Sequence, residues 1–266
     1  MSGVMERTLA LLERLASDVA GVPLATLADE LEMPRSAAHR LLTDLTAQGY
    51  VRQSRERGLY MLTTKLVSLG LNYLKHSGVV DLTQPILDRL AEASGELVRL
   101  GVVDVDHITW VSLSQGATSG LRYDPDHGID VRLACTSSGV AWLSTLPEDD
   151  AIALVSKQGI AKPSERGPNA PGSISALMKQ VRIARKQGVA FTCETYAAGL
   201  NAMSTPIVAT SNGTGSGAVG VLAMSGPAVR LTVAKMRQWA PELKRAAADI
   251  ARASAASPLF QRAYGR

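Results

Sequence analysis

The chain has 266 residues, 46% of them hydrophobic, with 28 Lys and Arg against 24 Asp and Glu for a net charge of +4 and an isoelectric point near 9.2. That length supports a small module joined to a medium-sized domain, each able to bury a core, and the mild basicity fits a nucleic-acid partner without requiring one. No charged segment leading into a long apolar run opens the chain, and no uninterrupted apolar stretch of about 20 residues occurs, so a soluble, cytoplasmic protein with no membrane partner is expected.

Met5, Leu9, Leu12 and Ala16 recur at helical spacing, with Glu6, Glu13 and Arg14 on other faces, and predict a first amphipathic helix that ends before Gly21-Val22-Pro23. Leu24, Leu27, Ala28 and Leu31 predict a second, short helix with Asp29 and Glu30 outward, although Ala25 is a poor N-cap. Pro34 suits the first turn of a third helix running towards Gln48, and Gly49 sits where a left-handed C-terminal cap is needed. The buried stripe of this helix is Ala38, Leu41, Leu42 and Leu45. Arg35, Ser36, His39, Arg40 and Thr43 share its opposite face.

Two short helices joined by a tight turn, the second carrying cations and hydrogen-bonding groups on its free face, match a recognition helix entering the major groove of double-stranded DNA. Arginine can bond guanine O6 and N7 together, while serine and histidine can reach phosphates or base edges. A plain three-helix packing element with a solvated polar face is the alternative reading of the same residues. Tyr50-Val51-Arg52 and Leu59-Tyr60-Met61-Leu62 then predict two short strands joined by the polar loop Gln53 to Gly58, a β-hairpin wing. Arg55 and Arg57 at its tip, with Tyr60 on the returning strand, are the candidate wing contacts to DNA, and salt should weaken what the arginines supply.

The run LATLADELEMPRSAAHRLLTDLTAQGYV, followed by a wing ending in LYMLTTKLVSLG, resembles the winged helix-turn-helix and linker of IclR-type transcription regulators. His39-Arg40-Leu41, Gly49-Tyr50 and Leu69-Gly70 stand where that family has them. The resemblance implies a homodimer, often paired into a dimer-of-dimers tetramer, that reads a palindromic or near-palindromic operator. Repression of a catabolic operon is the expected output.

Thr63 to Lys75 contains Leu66, Leu69, Leu71 and Tyr73 with no breaker but Gly70, and predicts a linker helix able to carry dimer contacts. Beyond Asp81 the pattern changes to helices at 82–93, 137–144, 148–157, 173–187 and from Thr232 to about Ala255. Strands are expected at 97–103, 108–113, 189–193, 204–209 and 218–224. Strand pairs with irregularly interspersed helices give an α+β class with a largely antiparallel sheet. The expected organisation is a winged helix-turn-helix domain over 1–62, a linker helix over 63–80 and an effector-binding domain over 81–266, which the resemblance makes GAF-like.

LACTSSGVAWLS, QGVAFTCETYAAGLNAMSTPI and VLAMSGPAVRLT extend the resemblance over nearly the whole chain. In the family the effector pocket forms around these segments, so the resemblance assigns Ser137, Ser138, Gly139, Thr192, Ala202, Met203, Ala223 and Ser225 to effector binding. Backbone N–H groups opening the Ser137 helix offer a physical reason, since with the helix dipole they can receive a carboxylate. Alternatively Ser137 only caps the helix and Gly139 only permits close packing. Thr192, Ala202 and Ala223 stand where small-acid-sensing relatives can present acidic, thiol or hydroxyl groups. A less polar pocket is therefore expected, taking a small organic acid with an aromatic or aliphatic body.

Gly215 to Gly220 satisfies G-x-G-x-x-G as a string, but Val219-Gly220-Val221-Leu222 continues as a strand where a dinucleotide site needs a helix. Asn212-Gly213-Thr214 is a glycosylation sequon expected to go unused. Cys135 and Cys193 lack partners at ligand spacing and read as core residues. His76, His107 and His127 are scattered, Asp104, Asp106 and His107 read as a solvated hairpin tip, and no serine sits on a nucleophile elbow. No cofactor, metal or catalytic residue is therefore expected. The competing readings are a small-molecule enzyme with an incidental helical N-terminus and a protein-interaction scaffold.

Overall fold

The computed structural model describes residues 3–124, 131–208, 217–253, 255 and 257–262, which fall into two compact units, Met1–Tyr73 and Leu74–Arg266. In the first unit, α1 (Val4–Ala16), α2 (Leu24–Glu30) and α3 (Arg35–Ala47) precede a hairpin of β1 (Val51–Gln53) and β2 (Tyr60–Leu62). The strands pair antiparallel with Val51 opposite Leu62 and Gln53 opposite Tyr60. Leu11, Leu15, Leu27, Ala28, Met33, Ala38, Leu41, Leu42, Leu45, Val51 and Tyr60 make one buried cluster.

Three details differ from expectation. α1 buries Leu11 and Leu15, while Met5 and Leu9 are 73% and 50% exposed. The helix carries two apolar stripes at the same spacing, and only tertiary packing decides which one faces the core. α2 is entered from Pro23 rather than Ala25, and Pro34 precedes α3 as its N-cap instead of lying in its first turn. Gly49 ends α3 with φ +75°, the left-handed conformation its position demands.

α4 (Lys65–Ser77) spans the boundary between the units. The second unit is built on a five-stranded sheet in the order β4-β3-β7-β6-β5. Its strands are β3 (Leu97–Asp104), β4 (His107–Gln115), β5 (Ala190–Cys193), β6 (Leu200–Val208) and β7 (Ala218–Pro227), and every pairing is antiparallel. Alternate residues feed two separate cores. Val98, Leu100, Val102, Met203, Leu222 and Met224 pack with α5 (Val79–Ser94) and α9 (Val233–Ala253). Ile108, Ala190, Ala218 and Val221 pack on the other side with α6 (Ser137–Leu143), α7 (Glu148–Gln158) and α8 (Ile174–Gln187). All ten residues of β7 are buried, which is why its sequence runs without polar alternation.

β6 begins at Leu200, earlier than the expected 204, because the buried Asn201 amide donates to the Leu231 carbonyl at 2.9 Å and so tolerates a strand position inside the core. A short α10 (Pro258–Arg262), not foreseen, places Phe260 in the α5/α9 core. Among the described residues, no helix is long and apolar enough to cross a membrane, and no group of three or more His, Cys, Asp or Glu is placed to hold a metal ion.

Candidate functional site

By turning Ala38, Leu41, Leu42 and Leu45 inward, α3 leaves Arg35, Ser36, His39, Arg40 and Thr43 exposed on its solvent side. Arg35 lies 3.8 Å from the Asp29 carboxylate, with both side chains about two-thirds exposed, so water and salt screen the pair and the guanidinium leaves it at little cost. The Thr43 hydroxyl donates to the His39 carbonyl at 2.8 Å, so its proton is already committed. The turn that aims α3 holds Glu32 at φ +48°, with the Met33 N–H bonded to Ala28 O at 2.9 Å.

In the wing, the Ser54 N–H donates to Leu59 O at 2.8 Å and the Gly58 N–H to Ser54 O at 3.0 Å, which leaves Arg55 and Arg57 on an exposed tip. Arg52 on β1 is a further exposed cation that the sequence reading passed over. Lys65 is engaged, donating to Gln48 O at 2.6 Å and lying 4.4 Å from the Tyr50 ring centre. Tyr60 corrects the expectation. It is only 4% exposed and belongs to the core of this unit, where its backbone also bridges to Val22, so its ring is not offered to DNA.

In the second unit a cavity of about 600 Å³, counting its open mouth, lies between the sheet and α6. Its floor is one rung across three strands, Thr192 opposite Ala202 and Ala202 opposite Ser225, all small side chains. Ser137 and Ser138 of α6 both bond the buried Ser204 hydroxyl, at 2.7 and 3.0 Å. These two bonds consume two of the trio's three hydroxyl protons and leave one for an outside acceptor. The remaining walls are Arg99, Trp110, Tyr123, Val131, Arg132, Thr136, Tyr196 and Leu200.

Arg99 is set on β3 between Val98 and Leu100, which face the opposite core. Its guanidinium carbon stands 4.0 Å from the Trp110 ring centre and 5.9 Å from that of Tyr123. Burial pushes its pKa down, and the neighbouring Tyr123 and Tyr196 oppose that shift. Tyr123 is carried on a segment pinned at two carbonyls. Arg230 donates to Leu121 O at 2.6 Å while clasping the buried Glu96 at 2.7 and 2.8 Å, and the Gln115 amide donates to Tyr123 O at 2.9 Å.

A family model for the IclR helix-turn-helix domain matches residues 4–55, and one for the bacterial transcriptional regulator IclR C-terminal domain matches residues 71–252. The chain belongs to the IclR family. It is 28% identical over 247 residues to the acetate operon repressor of Salmonella typhimurium, covering 92% of this chain and 88% of that one. To the transcriptional repressor IclR of Escherichia coli it is 27% identical over 247 residues, with 92% and 88% covered. An IclR transcriptional regulator from Silicibacter superposes with a TM-score of 0.79 at 19% identity over 95% of this chain and 96% of that one. An IclR homologue from Microbacterium hydrocarbonoxydans, solved in complex with 4-hydroxybenzoate, gives 0.76 at 20% identity over 96% and 100%.

The matched domains and relatives are transcription regulators rather than enzymes, so this IclR-family chain is a DNA-binding regulator with a C-terminal effector-binding domain. Of the residues assigned to the effector from sequence, Ser137, Ser138, Thr192, Ala202 and Ser225 line the cavity. Met203 does not. Alternation along β6 turns it into the α5/α9 core at 0% exposure. Ala223 is covered, lying in register between Arg99 and Ser204. Gly139 serves packing: a Cβ there would stand 2.3 Å from Leu133 O.

The cap of α6 is Thr136, whose Oγ1 accepts from Gly139 N at 3.0 Å, so one N–H expected to face a carboxylate is already used in this seven-residue helix. Charge enters the cavity lining from outside the positions assigned from sequence, through Arg99 and Arg132. Sequence reasoning missed these two, with Trp110, Tyr123, Thr136, Tyr196 and Ser204.

The hairpin tip at Asp106 is a surface ion cluster, as anticipated. A bond from Lys157, then one from His107, holds the Asp106 carboxyl down at about 2. Cys135 is buried and Cys193 partly so, and burial raises both thiols. His127, the Asn212 sequon and Gly215-Ser216 of the glycine string lie outside the described residues.

Proposed function

We propose that this regulator is a repressor of a catabolic operon, acting in the cytoplasm. It binds double-stranded operator DNA through Arg35, Ser36, His39, Arg40 and Thr43 of α3 and through Arg55 and Arg57 of the wing. A small organic acid with an aromatic or aliphatic body, held in the cavity against Ser137, Ser138, Thr192, Ala202 and Ser225, controls that binding. The observation that carries the reading is the exposed face of α3, cationic and unobstructed within its unit, with the wing arginines on the same module. The relatives named as repressors support the output, and the homologue crystallised with 4-hydroxybenzoate supports an acid as effector.

The expected division into 1–62, a linker helix over 63–80 and 81–266 is part of this reading, as is a homodimer or a dimer of dimers. The exposed Val67, Leu69, Leu71 and Tyr73 of α4, with Met5 and Leu9 of α1, support self-association. In a dimer the two α3 helices need a separation of about 34 Å, or a multiple, to enter successive major grooves. An effector that binds the competent and incompetent arrangements with different affinity then switches DNA binding. Specific retardation of the DNA upstream of the gene, weakened by salt and altered by an acid effector, is the expected result. Equal retardation of unrelated DNA would overturn the operator reading.

A further inference from the structure

Arg99 is an anomaly of charge placement. Its Nε is buried and has no hydrogen-bond partner among the described residues. No Asp or Glu is among the described residues lining the cavity. The other lining guanidinium, Arg132, already donates to the Glu165 backbone and lies 3.5 Å from its carboxylate. A half-buried guanidinium with no anion beside it carries a desolvation cost, and the indole under it only partly offsets that cost.

The Trp110 ring covers one side of the guanidinium carbon at 4.0 Å and has no acceptor to offer its N–H groups, which an anion entering the cavity can supply. A carboxylate meets that fork with two parallel bonds, whereas a neutral amide meets it with one oxygen and no charge. The floor of Thr192, Ala202 and Ser225 carries only small side chains, and Trp110, Tyr123 and Tyr196 supply aromatic surface to the rest of the lining. Small residues on one side and aromatic rings in the walls suit a planar ring.

We infer that Arg99 is the anchor for the effector's carboxylate and that the slot beside it selects an aromatic monocarboxylate. This deepens the proposed effector reading and rests on it. Arg99, Ala223 and Ser204 are in register on neighbouring strands, which sets Arg99 and the serine trio about 10 Å apart across the sheet. A ring lying over the neighbouring floor of Ser225 and Ala202 carries its acid at Arg99 and presents its far end to the one spare serine proton. A very small keto acid reaches one end only.

The test is calorimetry on the full-length protein with benzoate and 4-hydroxybenzoate, their neutral counterpart benzamide, and glyoxylate and hexanoate as non-aromatic acids. Both aromatic acids should bind, with benzamide and glyoxylate each about 30-fold weaker or worse. Arg99→Gln should lose about 30-fold for the acids while leaving benzamide unchanged, and Arg99→Lys should recover part of the loss. Thermal melts separate this from misfolding. Ligand-free Arg99→Gln should melt close to the wild type, because it breaks no ion pair among the described residues, yet benzoate should no longer raise its melting temperature. Equal acid binding by Arg99→Gln and wild type, equal binding of benzamide and benzoate, or tighter binding of glyoxylate or hexanoate would each overturn the inference. If the wild type binds none of these acids, the organic-acid reading of the cavity fails with it.

Discussion

The two units present positive charge in opposite ways. On α3 and the wing, arginines stand in water, where each is screened and adaptable and can meet whatever phosphate or base edge arrives. On β3 a single arginine lies half-buried against an indole in the lining of a cavity, where screening is weaker than on the open surface. A surface that reads a long polyanion gains from many weak contacts. A cavity that reads one small molecule gains from one strong contact held still.

Salt breaks this symmetry most widely. With Arg40, Arg55 and Arg57 of each protomer on phosphates, a dimer releases about six counterions, so raising salt from about 50 to 200 mM should lower operator affinity by about 10³-fold. Benzoate affinity should move by less than about threefold over the same range, since the Arg99 site is shielded. Fluorescence anisotropy for DNA and calorimetry for the acid make the comparison, and parallel salt slopes would show that Arg99 behaves as a surface charge.

A smaller effect separates positions within the DNA-facing surface. Arg35, at the N-terminal end of α3 where recognition helices meet base edges, should lose about 1–3 kcal/mol of operator affinity on Arg35→Ala, concentrated at one operator position. A loss spread evenly over a panel of operators would reassign it to phosphate.

The smallest changes concern one strained residue in each unit, Glu32 at φ +48° in the turn before α3 and Val105 at φ +52° in the β3–β4 hairpin. Glu32→Gly and Val105→Gly should each stabilise by up to about 1 kcal/mol, read as a rise in denaturation midpoint. Each substitution should raise the transition of its own unit alone. A shift in both transitions would show that the units unfold as one.

Much of the first unit was legible in the sequence because its signals are local. The stripe Ala38, Leu41, Leu42 and Leu45 fixes which side of α3 faces water, and no distant residue is needed to see it. Where two stripes compete, as in α1, local spacing has no means of choosing between them. The cavity depends on register between strands far apart in the chain, and there the reading faltered. Met203 lies one residue from Ala202, yet parity sends the two to opposite faces of the sheet. Tyr60 failed in the same way, as a polar-tipped residue on a strand whose inward side could not be read alone. Arg99 did leave a signal. Leu97–Val103 has too little polar alternation for a half-exposed strand, so a lone arginine within it had to point into a cavity rather than to solvent.

β7 lends the cavity one more property. Buried along its whole length, the strand that carries Ser225 on the cavity side carries Met224 and Leu222 on the other, wedged among α5 and α9. Close-packed interiors have no slack to absorb a shifted backbone. An occupant that displaced Ser225 would press on the far layer of helices through the same backbone.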